Sequence, residues 1–226
     1  MSTRLPFWAT IFTVAGVIVL CGLGTWQVQR LSWKNDIIAG LNAAYDNPQS
    51  QAIDIAAFTP GSYAYGRISG VFLPDKAILL GPKTKKDKIG YDLIVPVKQN
   101  GTAVFVNMGW TASKLEDLPI HHLQNKKVWF EGLARTPRWN SFTPENDPEK
   151  NLWYKPDLNE IAAAKNLKNP APFILYAERA SHKFDASFPN NERWMPANNH
   201  LQYTVFWFTM ALALCAIYVL RFIRKS

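Results

Sequence analysis

Apolar positions fall into two long uncharged runs with a stretch of short bursts between them. The first run, PFWATIFTVAGVIVLCGLGTWQVQ, opens after Arg4 and holds until Arg30; the second, LQYTVFWFTMALALCAIYVL, fills 201–220 and stops at RFIRKS. Each reaches the roughly 20 residues that a helix needs to cross hydrocarbon. The pattern predicts membrane helices over 5–29 and 199–220, short tails at 1–4 and 221–226, and one folded domain over 30–198. A chain of 226 residues has room for one core of ordinary size beside two spans.

Helical spacing continues past Arg30, with Leu31, Ile38, Leu41 and Tyr45 at intervals of three, four and seven, so the first helix is expected to run on and end near Asn47-Pro48. From Tyr63 the bursts become rich in β-branched and aromatic residues, which predicts strands. YAYGRISGVF and KAILLG flank a turn at Pro74-Asp75. YDLIVPVKQ and TAVFVNMGW are joined by Asn100-Gly101, a pair that accepts the positive φ angles of a type I′ hairpin. KKVWFEGLAR and PFILYAE supply two more strands, separated by a proline-marked loop over 136–157 and by a short helix, LNEIAAAKNL, that Asp157 can cap. The expected class is an α+β membrane protein: two transmembrane helices flanking a β-rich extracytoplasmic domain, an antiparallel sheet or open barrel, with short helices.

Charge sharpens the placement. Arg4, Arg221, Arg224 and Lys225 make both tails basic, and basic flanks stay in the cytoplasm, which puts the long middle domain in the periplasm. No Arg- and Ser-rich transit segment or small-residue cleavage site is visible, so a retained anchor in a bacterial inner membrane is expected. The net charge of +8 lies partly in those tails and forms no dense stripe, which argues against nucleic acid. Cys21 and Cys215 both fall inside the spans, at depths about 15 Å apart at 1.5 Å per residue, too far for a disulfide. A cysteine-free domain excludes CxxC redox chemistry and thiolate zinc sites. The absence of HExxH, GxSxG, P-loop, GxGxxG and EF-hand patterns argues against an enzyme.

Two segments beside the spans carry possible chemistry. In GTWQVQRLSWK, Trp26, Arg30 and Trp33 share a helix face, with Gln27, Arg30 and Lys34 aligned nearby. This reads either as an interfacial aromatic belt with snorkelling cations or as a docking face for an anionic group such as a haem propionate. In MPANNHLQYTVFWF, His200, Tyr203, Trp207 and Ala211 form a stripe headed by the one histidine next to a span. A neutral imidazole there can ligate haem iron through one nitrogen while the other bonds an Asn side chain or a backbone carbonyl; the plain alternative is an interfacial histidine satisfied by headgroups or a neighbouring helix. His121, His122 and His182 read as surface residues. Glu145, Asp147, Glu149 and Asp157 read as a solvated loop, because their spacing lacks the glycine turn and terminal glutamate of a calcium loop.

Four ordered pieces, GTWQVQRLSWK, VNMGW, FTPENDPEKNLWY and NNHLQYTVFWF, resemble the surfeit-locus assembly factors of haem-copper cytochrome c oxidase over nearly the whole chain. The resemblance implies two helices around an outer domain, with both ends inside. It also implies a non-enzymatic role in binding haem a and assisting its insertion into oxidase subunit I, with His200 as axial ligand. Trp26, Gln27, Arg30, Lys34, Tyr203 and Trp207 would surround that cargo. The implied partners are subunit I, haem a synthase and the bilayer. The alternatives are a structural chaperone that holds nascent subunit I without ligating haem, and, more remotely, a haem-modifying enzyme. One departure stands out: the family's Val-Asn-Arg-Gly-Trp reads Val-Asn-Met-Gly-Trp here, with Met108 in the arginine position.

Overall fold

The computed structural model describes residues 6–46, 51–85, 87–182, 184 and 188–223. Arg4, Arg224, Lys225 and the expected helix stop at Asn47-Pro48 lie outside them. Among the described residues the order is α1 (Phe7–Tyr45), β1 (Tyr63–Phe72), β2 (Ile78–Lys85), β3 (Lys88–Gln99), β4 (Thr102–Thr111), β5 (Lys127–Arg135), α2 (Leu158–Ala164), β6 (Pro170–Ala180) and α3 (His200–Tyr218). The chain divides into two compact units, the helical one comprising Met1–Ala39 with Met195–Ser226, and the sheet domain, Gly40–Trp194. Two helices, Phe7–Tyr45 and His200–Ile223, are long and apolar enough to cross a bilayer.

In the sheet domain the strand order is β1-β5-β6-β4-β3-β2, and β1 also pairs with β3. That extra pairing closes β1, β5, β6, β4 and β3 into a ring. All contacts around it are antiparallel except β4 with β6. This is the expected β-rich domain, an antiparallel sheet or open barrel, with one parallel pair: a ring with an odd number of strands cannot alternate direction at every step. Strand β2 stays outside the ring. It uses β3 up to Ile94, whereas β1 uses β3 at Val97 and Lys98.

Alternate residues of the same strands enter two apolar layers. Leu93, Val95, Val97, Val104, Val106, Phe173 and Leu175 fill the ring with Phe72 and Phe130. Ile94, Phe105 and Ile174 face outward onto Trp153 and α2 through Leu158 and Ile161. Both faces are buried, so these strands read as continuous apolar runs. Met108 belongs to the inner layer and is fully buried. In this chain the position that carries arginine in the resembling family is a packing position.

The turn chemistry works as the residues dictate. Asn100 and Gly101 take φ of 50° and 86° between β3 and β4. The Asp157 carboxylate accepts from the backbone N–H groups of Asn159 and Glu160, capping α2. The loop over 136–157 is irregular but not loose. Trp153 is buried, its carbonyl accepts from the Gly81 N–H at 2.9 Å, and the Asn146 Oδ1 accepts from the N–H groups of Tyr154 and Lys155, each at 2.8 Å.

Candidate functional site

The helical unit is built on an antiparallel contact between α1 and α3. Gly24 makes the close approach possible: a Cβ there would stand 2.9 Å from the Phe208 ring, so the ring seats directly on the α1 backbone. Leu214 packs at Gly16, and near the far end the hydroxyls of Thr10 and Tyr218 meet at 2.6 Å. Thr204 and Ala211 are buried on the same side of α3.

This rotation of α3 brings His200, the first residue of the helix, against Gln27 of α1. His200 Nδ1 lies 2.7 Å from Gln27 Oε1. An amide oxygen can only accept, so Nδ1 is the donor in this bond, and in the neutral ring that leaves the lone pair on Nε2. Gln27 is 9% exposed, which shields this bond from competition. The backbone carbonyl of His200 accepts from the Thr204 hydroxyl at 2.9 Å, and Asn198 Nδ2 donates to Asn35 Oδ1 at 2.9 Å, tying the approach to α3 onto α1.

The expected faces are regrouped by these contacts. Gln27 leaves the anion-docking row and becomes the partner of the imidazole, taking the place foreseen for an Asn side chain or a backbone carbonyl. Arg30 lies with its guanidinium carbon 4.4 Å from the Trp33 ring centroid, and the Lys34 ammonium lies 5.9 Å from the same ring. Both cations remain at the α1 surface around one indole. Trp26 and Tyr203 are about half exposed and touch no other described ring, while Trp207 packs edge-on against Phe206. The stripe His200, Tyr203, Trp207, Ala211 therefore splits. His200 and Ala211 turn toward α1, and Tyr203 turns away, because the seat of Phe208 on Gly24 sets the rotation.

Other sequence-level candidates stay apart from this cluster. His121, His122 and His182 are exposed. Asp147 pairs with Lys150, Glu145 with Lys155, and Asp157 caps α2, so the loop carboxylates are spent on local contacts. No group of three or more metal-ligating side chains occurs among the described residues. Cys21 and Cys215 are free thiols.

The SURF1 family model matches residues 14–212, which includes the whole sheet domain and most of both spans. The chain belongs to the SURF1 family. A SURF1-like protein of Dictyostelium discoideum is 27% identical across 92% of this chain and 93% of its own length. A SURF1-like protein of Rickettsia felis is 28% identical across 89% and 91%, and surfeit locus protein 1 of Xenopus tropicalis is 28% identical across 90% and 72%. As a SURF1 chain it carries His200 and Gln27 inside the matched segment.

A buried charge cluster also lies in the sheet domain. Glu131 is fully buried between Arg67 and Arg179, accepting at 3.1 Å from Arg67 Nη2 and also from Arg179. Burial pushes its carboxyl up, but the hydrogen bonds from the two guanidinium groups outweigh that and hold it below the ordinary carboxylate range. Close by, burial raises the Glu178 carboxyl despite a 3.3 Å hydrogen bond from the Tyr65 hydroxyl. Burial, then the neighbouring Glu178 charge, pushes Tyr65 up to about 12.

Proposed function

We propose that this chain is an assembly factor for haem-copper cytochrome c oxidase that holds haem a as cargo at the helix pair and assists its insertion into subunit I. Membership of the SURF1 family supports the general role in oxidase assembly. The observation that carries the haem reading is the His200–Gln27 contact: it orients the ring through Nδ1 and leaves Nε2 without a partner among the described residues. That is the donor chemistry an axial ligand needs.

Arg30 and Lys34 would pair with the cargo's propionates, and Trp26, Tyr203 and Trp207 would offer apolar and aromatic surface beside it. Ligation by a single histidine suits a carrier, since cargo held from both sides is released slowly. The reaction is ligation and release, with no covalent step, and haem a synthase is the natural donor of the cargo. The setting we infer is a bacterial inner membrane with both ends cytoplasmic and the sheet domain periplasmic; Arg221, in the helical turn that follows α3, agrees with the positive-inside rule.

The test is purification of wild type and His200→Ala from a host that makes haem a. The variant is expected to lose the haem spectrum while keeping its yield. An unchanged spectrum and stoichiometry would remove His200 as the ligand. A second reading, subunit I held by the spans without ligation, rests on the half-exposed, unpartnered Trp26 and Tyr203. It predicts that oxidase assembly falls in Trp26→Ala and survives in His200→Ala.

A further inference from the structure

The sheet domain contains a cleft of about 840 Å³, well within the size of small-molecule sites. One wall is Leu80 to Lys83 of β2. The floor is Arg135 at the end of β5 and Tyr176 of β6, and the opposite wall comes from the 136–157 loop through Arg138, Trp139 and Tyr154. No carboxylate lines it among the described residues. Loops of this length without regular structure are uncommon in compact domains and are usually functional. This one is held by the buried Trp153 and by Asn146, whose amide also donates to Glu160 at 2.7 Å, so the wall is formed in advance.

The cations in the cleft are not equivalent. Lys83 is neutralised by Asp92. Arg135 lies over the Tyr176 ring at 3.8 Å and the Trp194 ring at 4.5 Å, and makes no ion pair among the described residues. The rings hold its guanidinium by cation–π contact, and its N–H donors, which can grip a carboxylate bidentately, have no side-chain acceptor among the described residues. Arg138 has no hydrogen bond, ion pair or ring contact among the described residues. Trp139 beside it is 46% exposed, a large indole held open at the mouth. Two unneutralised guanidinium groups in one concavity raise its positive potential, and the aromatic walls favour a flat apolar body.

We propose that this cleft binds a small organic anion, a carboxylate carried on a planar apolar ring system. The assignment is independent of haem ligation at His200, and its test uses no haem. The full chain in nanodiscs of zwitterionic lipid is titrated with 2-naphthoate, followed by saturation-transfer NMR, and with 2-naphthamide as the neutral isostere. Wild type is expected to bind 2-naphthoate at least tenfold more tightly than the amide. Arg138→Gln, an exposed loop substitution, is expected to weaken naphthoate at least tenfold and to narrow its lead over the amide. Trp139→Ala is expected to weaken both ligands, and His200→Ala neither. Absence of naphthoate binding to wild type, equal affinity for the two ligands, or an unchanged affinity in Arg138→Gln would overturn the proposal.

Discussion

Gly109, in the VNMGW strand, is a position where a single methyl group should cost the sheet domain heavily. Its φ is +116°, and β4 carries a register shift against β3 at this point, with Asn107 opposite Ile94 and Gly109 opposite Leu93. A Cβ built there would stand 1.8 Å from Asn190 Oδ1 and 2.6 Å from its Cγ. Asn190 borders that irregularity as a pairing residue would. Its N–H donates to the Met108 carbonyl, its Oδ1 accepts from the Trp110 N–H, and its Nδ2 donates to the Trp110 carbonyl, each at 2.9 Å. Gly109→Ala must therefore bear a left-handed backbone, about 1–3 kcal/mol, and displace a side chain whose two amide bonds contribute about 1 kcal/mol each. The expected loss is about 3–5 kcal/mol, a large share of a typical domain's stability of about 5–15 kcal/mol. Asn190→Ala alone should cost about 2 kcal/mol. In the double variant the clash is gone, so its cost should fall short of the sum by about 1–2 kcal/mol. Urea unfolding of the full chain read by pulse proteolysis measures all four corners of this cycle. A Gly109→Ala variant within about 0.5 kcal/mol of wild type, or strictly additive costs, would refute the reasoning.

Other outcomes follow from the same contacts. Gln27→Leu leaves the His200 N–H unpaired and the ring free to turn, so haem a retention is expected to fall about 10- to 100-fold, the usual effect of losing an orienting partner; retention at the wild-type level in a haem-loading titration would count against it. Gly24→Val should separate α1 from α3, and Phe208→Ala in the same chain should restore the contact, measured by cross-linking of cysteines placed at 20 and 211. Glu131→Gln should destabilise the domain by about 1–3 kcal/mol at pH 7. Because the folded carboxyl lies below its unfolded value, that difference is complete above about pH 4.3 and closes as pH falls through the depressed folded value. Glu178→Gln should show the opposite sign. Its folded carboxyl is raised, so wild type loses stability as pH rises through that raised value, and the amide variant should equal or exceed wild type at pH 7 and lose its advantage in acid. Urea midpoints between pH 3 and 7 check both.

The strands were legible because burial on both faces leaves an unmistakable apolar run, and LIVPV and AVFV are the two densest. Pro96 looks like an objection to a strand until its neighbours are known. β3 hands over from β2, its partner up to Ile94, to β1, its partner from Val97, and the missing N–H of Pro96 falls in that gap, where the Pro96 carbonyl still accepts from Leu73 at 3.0 Å. The ring closure itself was not legible. Periodicity reports how much of a strand is covered, not which strand covers it, and the β1–β3 contact rests on two residue pairs far apart in sequence. The same limit applied at the helix pair. His200 and Gln27 were both singled out, but on separate faces with separate tasks, since a helical wheel has no fixed zero until a neighbour supplies one. Here Phe208 against Gly24 supplies it, and turning α3 to seat that ring carries His200 toward α1 and Tyr203 away from it. The seat at Gly24 is about one helical turn from Gln27, so a change in helix packing of less than one residue's rotation would break the bond that holds the imidazole. On that reasoning the packing glycine, which carries no donor or charge, governs the orientation of the imidazole together with Gln27.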